Sequence, residues 1–332
     1  MIPALIRVSS GSATVLGLIE GHLDTNPTAA YLLTYSKSKC TANCGFCSQA
    51  RDSKSRADML SRVTWPAFST KEVLSRLVIA AWKGTVKRVC IQALNRPAVL
   101  KELVALVKEL KQVGIDIPIS VSCQPLSKEK TRRLAEAGVE RIGIPLDAAA
   151  KAVFDHVKGL LAGGPYNWDR QRSVLLEAVE VFGEGNVSTH LIVGLGETEK
   201  EMMETVQWCV DKGIYPALFS FTPLPGTALS HQPSPTINHY RRVQLARYLI
   251  VIGKTRFDRM SFDGTGCIVD SGVSTEELQD AVQSGLPFRT SGCPGCNRPY
   301  YNEKPSGPIY NYPRQPTLKE IEEIERELHL ES

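Results

Sequence analysis

Cys40, Cys44 and Cys47, in Lys39-Cys40-Thr41-Ala42-Asn43-Cys44-Gly45-Phe46-Cys47-Ser48, form a C-x3-C-x2-C pattern. Thiolates are soft ligands suited to iron. Three on one short loop can hold three irons of a [4Fe-4S] cube and leave the fourth open to a substrate or cofactor. The competing use is a structural zinc knuckle, but zinc takes a fourth nearby Cys or His. No histidine lies between Cys40 and His156. Nine cysteines, an odd number, argue against a disulfide framework in a chain of 332 residues. Cys293 and Cys296 make a C-x2-C on a Gly/Pro turn, and Cys90 and Cys123 close two predicted strands. Together these four offer the ligand set of a second [4Fe-4S] cluster. Cys267, in Gly264-Thr265-Gly266-Cys267, and Ser291 stay open as alternative ligands, and Cys209 on a predicted helix reads as core.

These thiols need strands that end where chemistry occurs. Strands and helices alternate along the chain, the pattern of a parallel α/β sheet with crossover helices. Predicted strands cover 30–35, 86–91, 117–123, 141–146, 187–193 and 217–222. Between and after them, helices are predicted at 70–82, 97–112, 127–137, 169–182, 198–212 and 238–252. Gly114 and Gly138 stop the second and third helices, and Thr198-Glu199-Lys200-Glu201 opens the fifth with a capping box. These make six βα units. Weaker strands near 259–263 and 287–291, flanking a helix begun by Ser274, would raise the count to eight. The expected division is an N-terminal segment (1–29), a barrel domain (30–292) and a C-terminal tail (293–332). The tail is rich in Pro and Tyr and ends in a helix from Thr317 to Leu330 that opens on a second capping box.

A net charge of +4, spread without a block of like charges, excludes a nucleic-acid partner as the expectation. No run is apolar for the roughly 18 residues a membrane span needs. The apolar stretch Ala13-Thr14-Val15-Leu16-Gly17-Leu18-Ile19 is short for an export signal, so a cytoplasmic location is expected.

With Phe46 immediately before its last cysteine, the triplet resembles the signature of the radical S-adenosylmethionine superfamily, whose fold is a TIM-type (βα) barrel of six units or eight. The resemblance implies S-adenosylmethionine chelated to the open iron, with Phe46 near its adenine. It also implies one-electron cleavage to a 5′-deoxyadenosyl radical that abstracts hydrogen from an unactivated carbon. The match extends furthest toward biotin synthase and its relatives. Gly194-Leu195-Gly196, within Ile192-Val193-Gly194-Leu195-Gly196-Glu197-Thr198, is similar to the glycine motif that backs the adenine. Asp147 then falls where the ribose is held, and Arg172 where the cofactor carboxylate is held. Gln92, in Gln92-Ala93-Leu94-Asn95, stands in place of the usual Gly-Gly-Glu.

Biotin synthase uses strand cysteines and an arginine for a [2Fe-2S] centre, and its strand-five cysteine is Ser188 here. The tail, with Cys293-Pro294-Gly295-Cys296 and Tyr310-Asn311-Tyr312-Pro313, instead resembles the two-component lipoyl synthases found largely in archaea. That resemblance spans residues 30 to 316. It implies sulfur insertion at C6 and C8 of an octanoyl chain on a lipoyl-carrier protein, with the second cluster as sulfur donor. The implied partners are the octanoylated carrier, a paralogous subunit and a low-potential reductant such as ferredoxin. Biotin synthase, or another radical enzyme that inserts sulfur or matures a cofactor, is the alternative.

Overall fold

The computed structural model describes residues 2–329. In chain order its elements are β1 (Leu5–Val8), α1 (Ser10–Val15), β2 (Ala29–Thr34), β3 (Met59–Leu60), β4 (Val63–Thr64), β5 (Ala67–Ser69), α2 (Thr70–Trp82), β6 (Arg88–Gln92), α3 (Val99–Gln112), β7 (Ile119–Ser122) and α4 (Lys128–Ala137). They continue with β8 (Arg141–Gly143), α5 (Lys151–Val157), α6 (Trp168–Phe182), β9 (Val187–Val193), α7 (Glu199–Asp211), β10 (Ile214–Ser220), α8 (Ile237–Val251), β11 (Ser261–Phe262), β12 (Ile268–Asp270), α9 (Thr275–Ser284) and α10 (Leu318–Leu328). The predicted end of the last helix, Leu330, lies outside the described residues.

The main sheet runs β10-β9-β8-β7-β6-β2-β1-β5. The six strands from β2 to β10 pair in parallel, while β1 pairs antiparallel with both β2 and β5. Thus β1, from the N-terminal segment, is built into the sheet between β2 and the edge strand β5. Alternation gives the parallel strands two different faces. In β9, Val187, Thr189, Leu191 and Val193 are buried, while Ser188, His190 and Ile192 are only partly covered and line a cavity on the other face. In β6, Val89 and Ile91 join the core against the helices, and Cys90 and Gln92 face the cavity.

The two weaker strands do not extend this set. Residues 261–262 fold back on 268–270 as an isolated antiparallel pair. The turn is held by the Asp263 carboxylate, which accepts N–H bonds from Thr265 and Cys267. The chain near 287 turns as a 3-10 helix, Leu286–Phe288, with Pro287 in its first turn, where a missing N–H does no harm. The count of parallel βα strands is therefore six.

Local signals fixed the helix ends well. Gly138 closes α4 at φ 108°, a left-handed conformation that favours glycine. Thr198 and Glu201 form the reciprocal capping box at α7. Thr198→Ala is expected to cost about 1 kcal/mol of stability. Denaturant unfolding of that variant indistinguishable from the parent would count against the box as a stabilising element.

Candidate functional site

One cavity of about 240 Å³ opens on the inner face of the parallel strands, and seven of the nine cysteines line it: Cys40, Cys44, Cys47, Cys90, Cys123, Cys293 and Cys296. A water needs only about 10–15 Å³ measured this way, so the space suits a ligand far larger than solvent. Among the described residues no three His, Cys, Asp or Glu side chains converge tightly enough for a single metal ion.

The first group sits on the loop that follows β2. Its backbone is pinned from several sides: Cys40 N–H donates to Gln49 O at 2.9 Å, Gly45 N–H to Val157 O at 2.7 Å, and Leu229 N–H to Gly45 O at 3.0 Å. Lys39 Nζ bonds the carbonyls of Ser48, Ser53 and Ser55 at 2.9, 2.6 and 2.7 Å, closing the loop around one cation. Backbone amides are aimed at sulfur: Asn95 N–H lies 3.2 Å from Cys40 Sγ and Gln49 N–H 3.4 Å from Cys47 Sγ. Burial pushes the Cys47 thiol up to about 12, against the pull of the Gln49 amide. Burial also raises Cys44 well above the ordinary thiol range, while the nearby Lys158 ammonium pulls it down. Such thiols stay protonated until a metal displaces the proton, and the donor set then has the charge and softness an iron-sulfur cube needs.

Across the cavity, the tail brings Cys293 and Cys296 to the strand bearing Cys90. Burial lifts Cys90 far above its usual range, and Cys293 and Cys296 add to the lift. Tyr31 Oη lies 3.1 Å from Cys296 Sγ, and Gln92 Nε2 donates to Cys90 Sγ at 3.2 Å. The Arg298 guanidinium stacks 3.8 Å from the centroid of Phe219, and with the Tyr31 hydroxyl it opposes the burial that raises Cys296. The tail is tied down by Thr28 N–H to Asn297 Oδ1 at 2.9 Å, Arg62 to Tyr300 O at 3.1 Å and Thr222 Oγ1 to Asn302 O at 2.8 Å.

Cys123 behaves differently. It touches the cavity but is 4% exposed and belongs to the core between sheet and helices. Burial alone pushes it up to about 12, with no other thiol contributing. All four line the cavity; Cys90, Cys293 and Cys296 act on one another, while Cys123 is held in the core beside them. Cys267 sits on the β11–β12 turn with Thr265 donating to its sulfur, away from the cavity. The Ser291 hydroxyl is taken up by Leu218 N–H at 2.7 Å, and Cys209 is fully buried core.

Of the residues assigned to the cofactor, Phe46, Gln92 and Asp147 line the cavity. Gly194, Leu195 and Gly196 do not. The amides of Gly194 and Leu195 are instead bound by the Glu197 carboxylate at 2.7 and 3.0 Å, and a side chain at Gly194 would meet Pro235 at 2.8 Å. These glycines serve a tight strand-to-helix turn. Arg172 does not line the cavity either. Its guanidinium stacks 4.0 Å from the centroid of Trp208 on α7, and the side chain does not reach the cavity. Cation–π stacking with an indole satisfies a half-buried guanidinium without any carboxylate. Arg172→Ala is expected to lower stability by about 1 kcal/mol and to leave S-adenosylmethionine cleavage within about twofold of the parent; loss of cleavage in a folded variant would restore it to the site.

The residue that sequence reasoning missed is Lys158. It is fully buried, with Nζ 2.7 Å from Asp147 Oδ2 and bonded to Pro145 O, beneath the rings of Tyr166 at 5.1 Å and Phe154 at 5.8 Å. Asp147 itself adopts φ 69°, which is uncommon for a residue other than glycine and marks a position fixed by its surroundings. Lys158 follows α5, a helix the sequence reading left unassigned, so no pattern flagged it.

Comparison with known proteins agrees with this arrangement. Residues 36–209 match the family model described as the radical SAM superfamily. A biotin synthase from Hydrogenobaculum sp. (strain Y04AAS1) is 24% identical over 217 residues, 63% of this chain and 61% of the relative. One from Bacillus cytotoxicus is 29% identical over 170 residues, 50% of this chain and 46% of the relative. The chain thus spans less than two thirds of the length of these curated relatives. Among solved structures, the FeFe-hydrogenase maturase HydG from Carboxydothermus hydrogenoformans superposes with a TM-score of 0.53 at 16% identity, covering 94% of this chain and 68% of that one, a likeness of fold. With more than half of the chain matched, and the C-x3-C-x2-C thiols on a pinned loop at the mouth of a parallel α/β sheet, the protein belongs to the radical SAM superfamily.

Proposed function

We propose that this chain is a subunit of a two-component lipoyl synthase, inserting sulfur into a protein-bound octanoyl chain. The observation that carries the reading is the second thiol group, Cys90 with Cys293 and Cys296, on the same cavity as Cys40, Cys44 and Cys47. Both donor sets fit iron-sulfur clusters: each offers three thiols lining the cavity, with N–H or O–H donors aimed at sulfur. When bound, the first cluster with S-adenosylmethionine supplies the hydrogen-abstracting radical and the second supplies inorganic sulfide. The protein's own part is binding and exclusion. Asp147, held by Lys158, is suited to accept the ribose hydroxyls, and Phe46 to cover the adenine. Gln92 lines the cavity with its amide already donating to Cys90. Leu33, Ile192, Phe219 and Leu224 give the cavity an apolar lining that suits a saturated acyl chain and keeps water from a reactive carbon.

The test is incubation with an octanoylated carrier peptide, reductant and S-adenosylmethionine, with and without a paralogous subunit, followed by mass measurement. A gain of sulfur supports the reading. Biotin synthase is the second reading, favoured by the curated relatives. Formation of biotin from dethiobiotin would establish it instead. Iron analysis separates the two independently, at about eight irons per chain for two cubes against about six for a cube with a two-iron centre.

A further inference from the structure

We propose that Ser120, not Cys123, is the fourth protein ligand of the second cluster, its hydroxyl oxygen completing the set of Cys90, Cys293 and Cys296. The inference rests on the reading that a second cluster forms among these residues. Register places the serine: Tyr31, Cys90 and Ser120 are direct partners across the parallel strands β2, β6 and β7, so their side chains leave the sheet on one face and in one row. Ser120 lines the cavity while being 4% exposed, and its Oγ lies 3.4 Å from Cys293 Sγ, a contact between residues 173 positions apart. Cys123, three residues further along and past the end of β7, also touches the cavity but is 4% exposed and packs in the core with Val121 and Ile142.

A neutral serine is a poor ligand because its proton is tightly held, and here a cation addresses that difficulty. Arg88, 6% exposed, donates from Nη1 to Ser120 Oγ at 2.8 Å and pairs with Glu140 at 2.5 Å. Its Nε is buried with no partner. A guanidinium on the oxygen stabilises the alkoxide that an Fe–O bond requires. On ligation the hydroxyl proton passes to solvent and no electron is transferred. Tyr31, the other oxygen in the row, has no guanidinium bonded to its hydroxyl among the described residues and accepts the Arg298 backbone N–H at 3.0 Å. An oxygen among thiolates binds iron less firmly than a fourth sulfur would. That gives a cluster destined to surrender sulfide a defined weak corner.

The experiment uses the full chain with Cys40, Cys44 and Cys47 all replaced by alanine, so that only the second cluster is read. After anaerobic reconstitution this background is expected to hold about four irons. Adding Ser120→Ala should lower that to about three and give a three-iron EPR signal, whereas Ser120→Cys should keep about four with a shifted spectrum and Cys123→Ala should change nothing. Four irons with an unaltered spectrum in Ser120→Ala, or loss of iron in Cys123→Ala, would overturn the assignment of Ser120 while leaving the second cluster standing. A background that binds no iron would overturn the cluster itself and the inference with it.

Discussion

Lys158→Met is expected to destabilise the protein by about 3–5 kcal/mol, the usual cost of removing one partner from a buried ion pair. The two side chains are 0% and 7% exposed, so methionine would leave the Asp147 carboxylate facing a cavity wall with no cation to offset its lost hydration. The Pro145 carbonyl would lose a charged donor as well, though Gln171 Nε2 still reaches it at 2.7 Å. Against a total stability of order 5–15 kcal/mol, such a loss removes a large fraction of the margin. Asp147→Asn added to Lys158→Met should recover much of it, because the neutral amide needs no counter-ion. The double variant would then be more stable than the single one, the non-additivity expected of groups in direct contact. Urea unfolding under anaerobic conditions measures all three proteins. A Lys158→Met midpoint within about 1 kcal/mol of the parent would mean that solvent reaches the pair and that Asp147 is not held as described.

The second large effect is hidden in the parent because two groups oppose each other. Burial pushes His190 down to about 4 from an ordinary 6.5, with the Asp147 charge pulling the other way. Burial also pushes Glu303 up to about 7 from 4.5, against the Asn311 amide and the Arg298, Arg241 and Arg62 cations. For the histidine, the unfolded chain binds its proton first as pH falls, so stability is lost between about 6.5 and about 4. For the glutamate, the folded state keeps its proton longer, so stability is present below about 4.5 and lost as pH rises through about 7. At roughly 1.4 kcal/mol per pKa unit, each gap is worth up to about 3 kcal/mol. Between pH 4.5 and 6.5 the two slopes nearly cancel.

Single substitutions should expose them. His190→Gln leaves the Glu303 slope, and stability should fall with rising pH across that window. Glu303→Gln leaves the His190 slope, and stability should rise. All other ionisable groups are common to both variants, so their contribution drops out of the difference. Unfolding free energies measured at both ends of the window decide the matter, and parallel slopes in the two variants would refute the opposition.

The sequence by itself determined what depends on neighbours along the chain. Three thiols on eight consecutive positions are a ligand set wherever that loop goes, and the superfamily could be read from them. Helix ends at Gly138 and Thr198 were legible because a left-handed turn and a capping box are completed within four residues. The alternation of β9 gave its seven residues without error for the same reason. Tertiary structure decided what depends on residues distant in sequence. Cys296 meets Tyr31 across 265 positions and Cys293 meets Ser120 across 173, so nothing local distinguished Ser120 from Cys123 as the partner of the tail. Lys158 became a site residue only because the chain after α5 turns it inward onto Asp147. Arg172 stacks on the face of Trp208 of α7, outside the cavity lining. Local pattern sets which groups a segment can present; only the packed sheet and its tail set which of them share a low-dielectric cavity, and there an ion or a thiol takes its properties from whatever faces it.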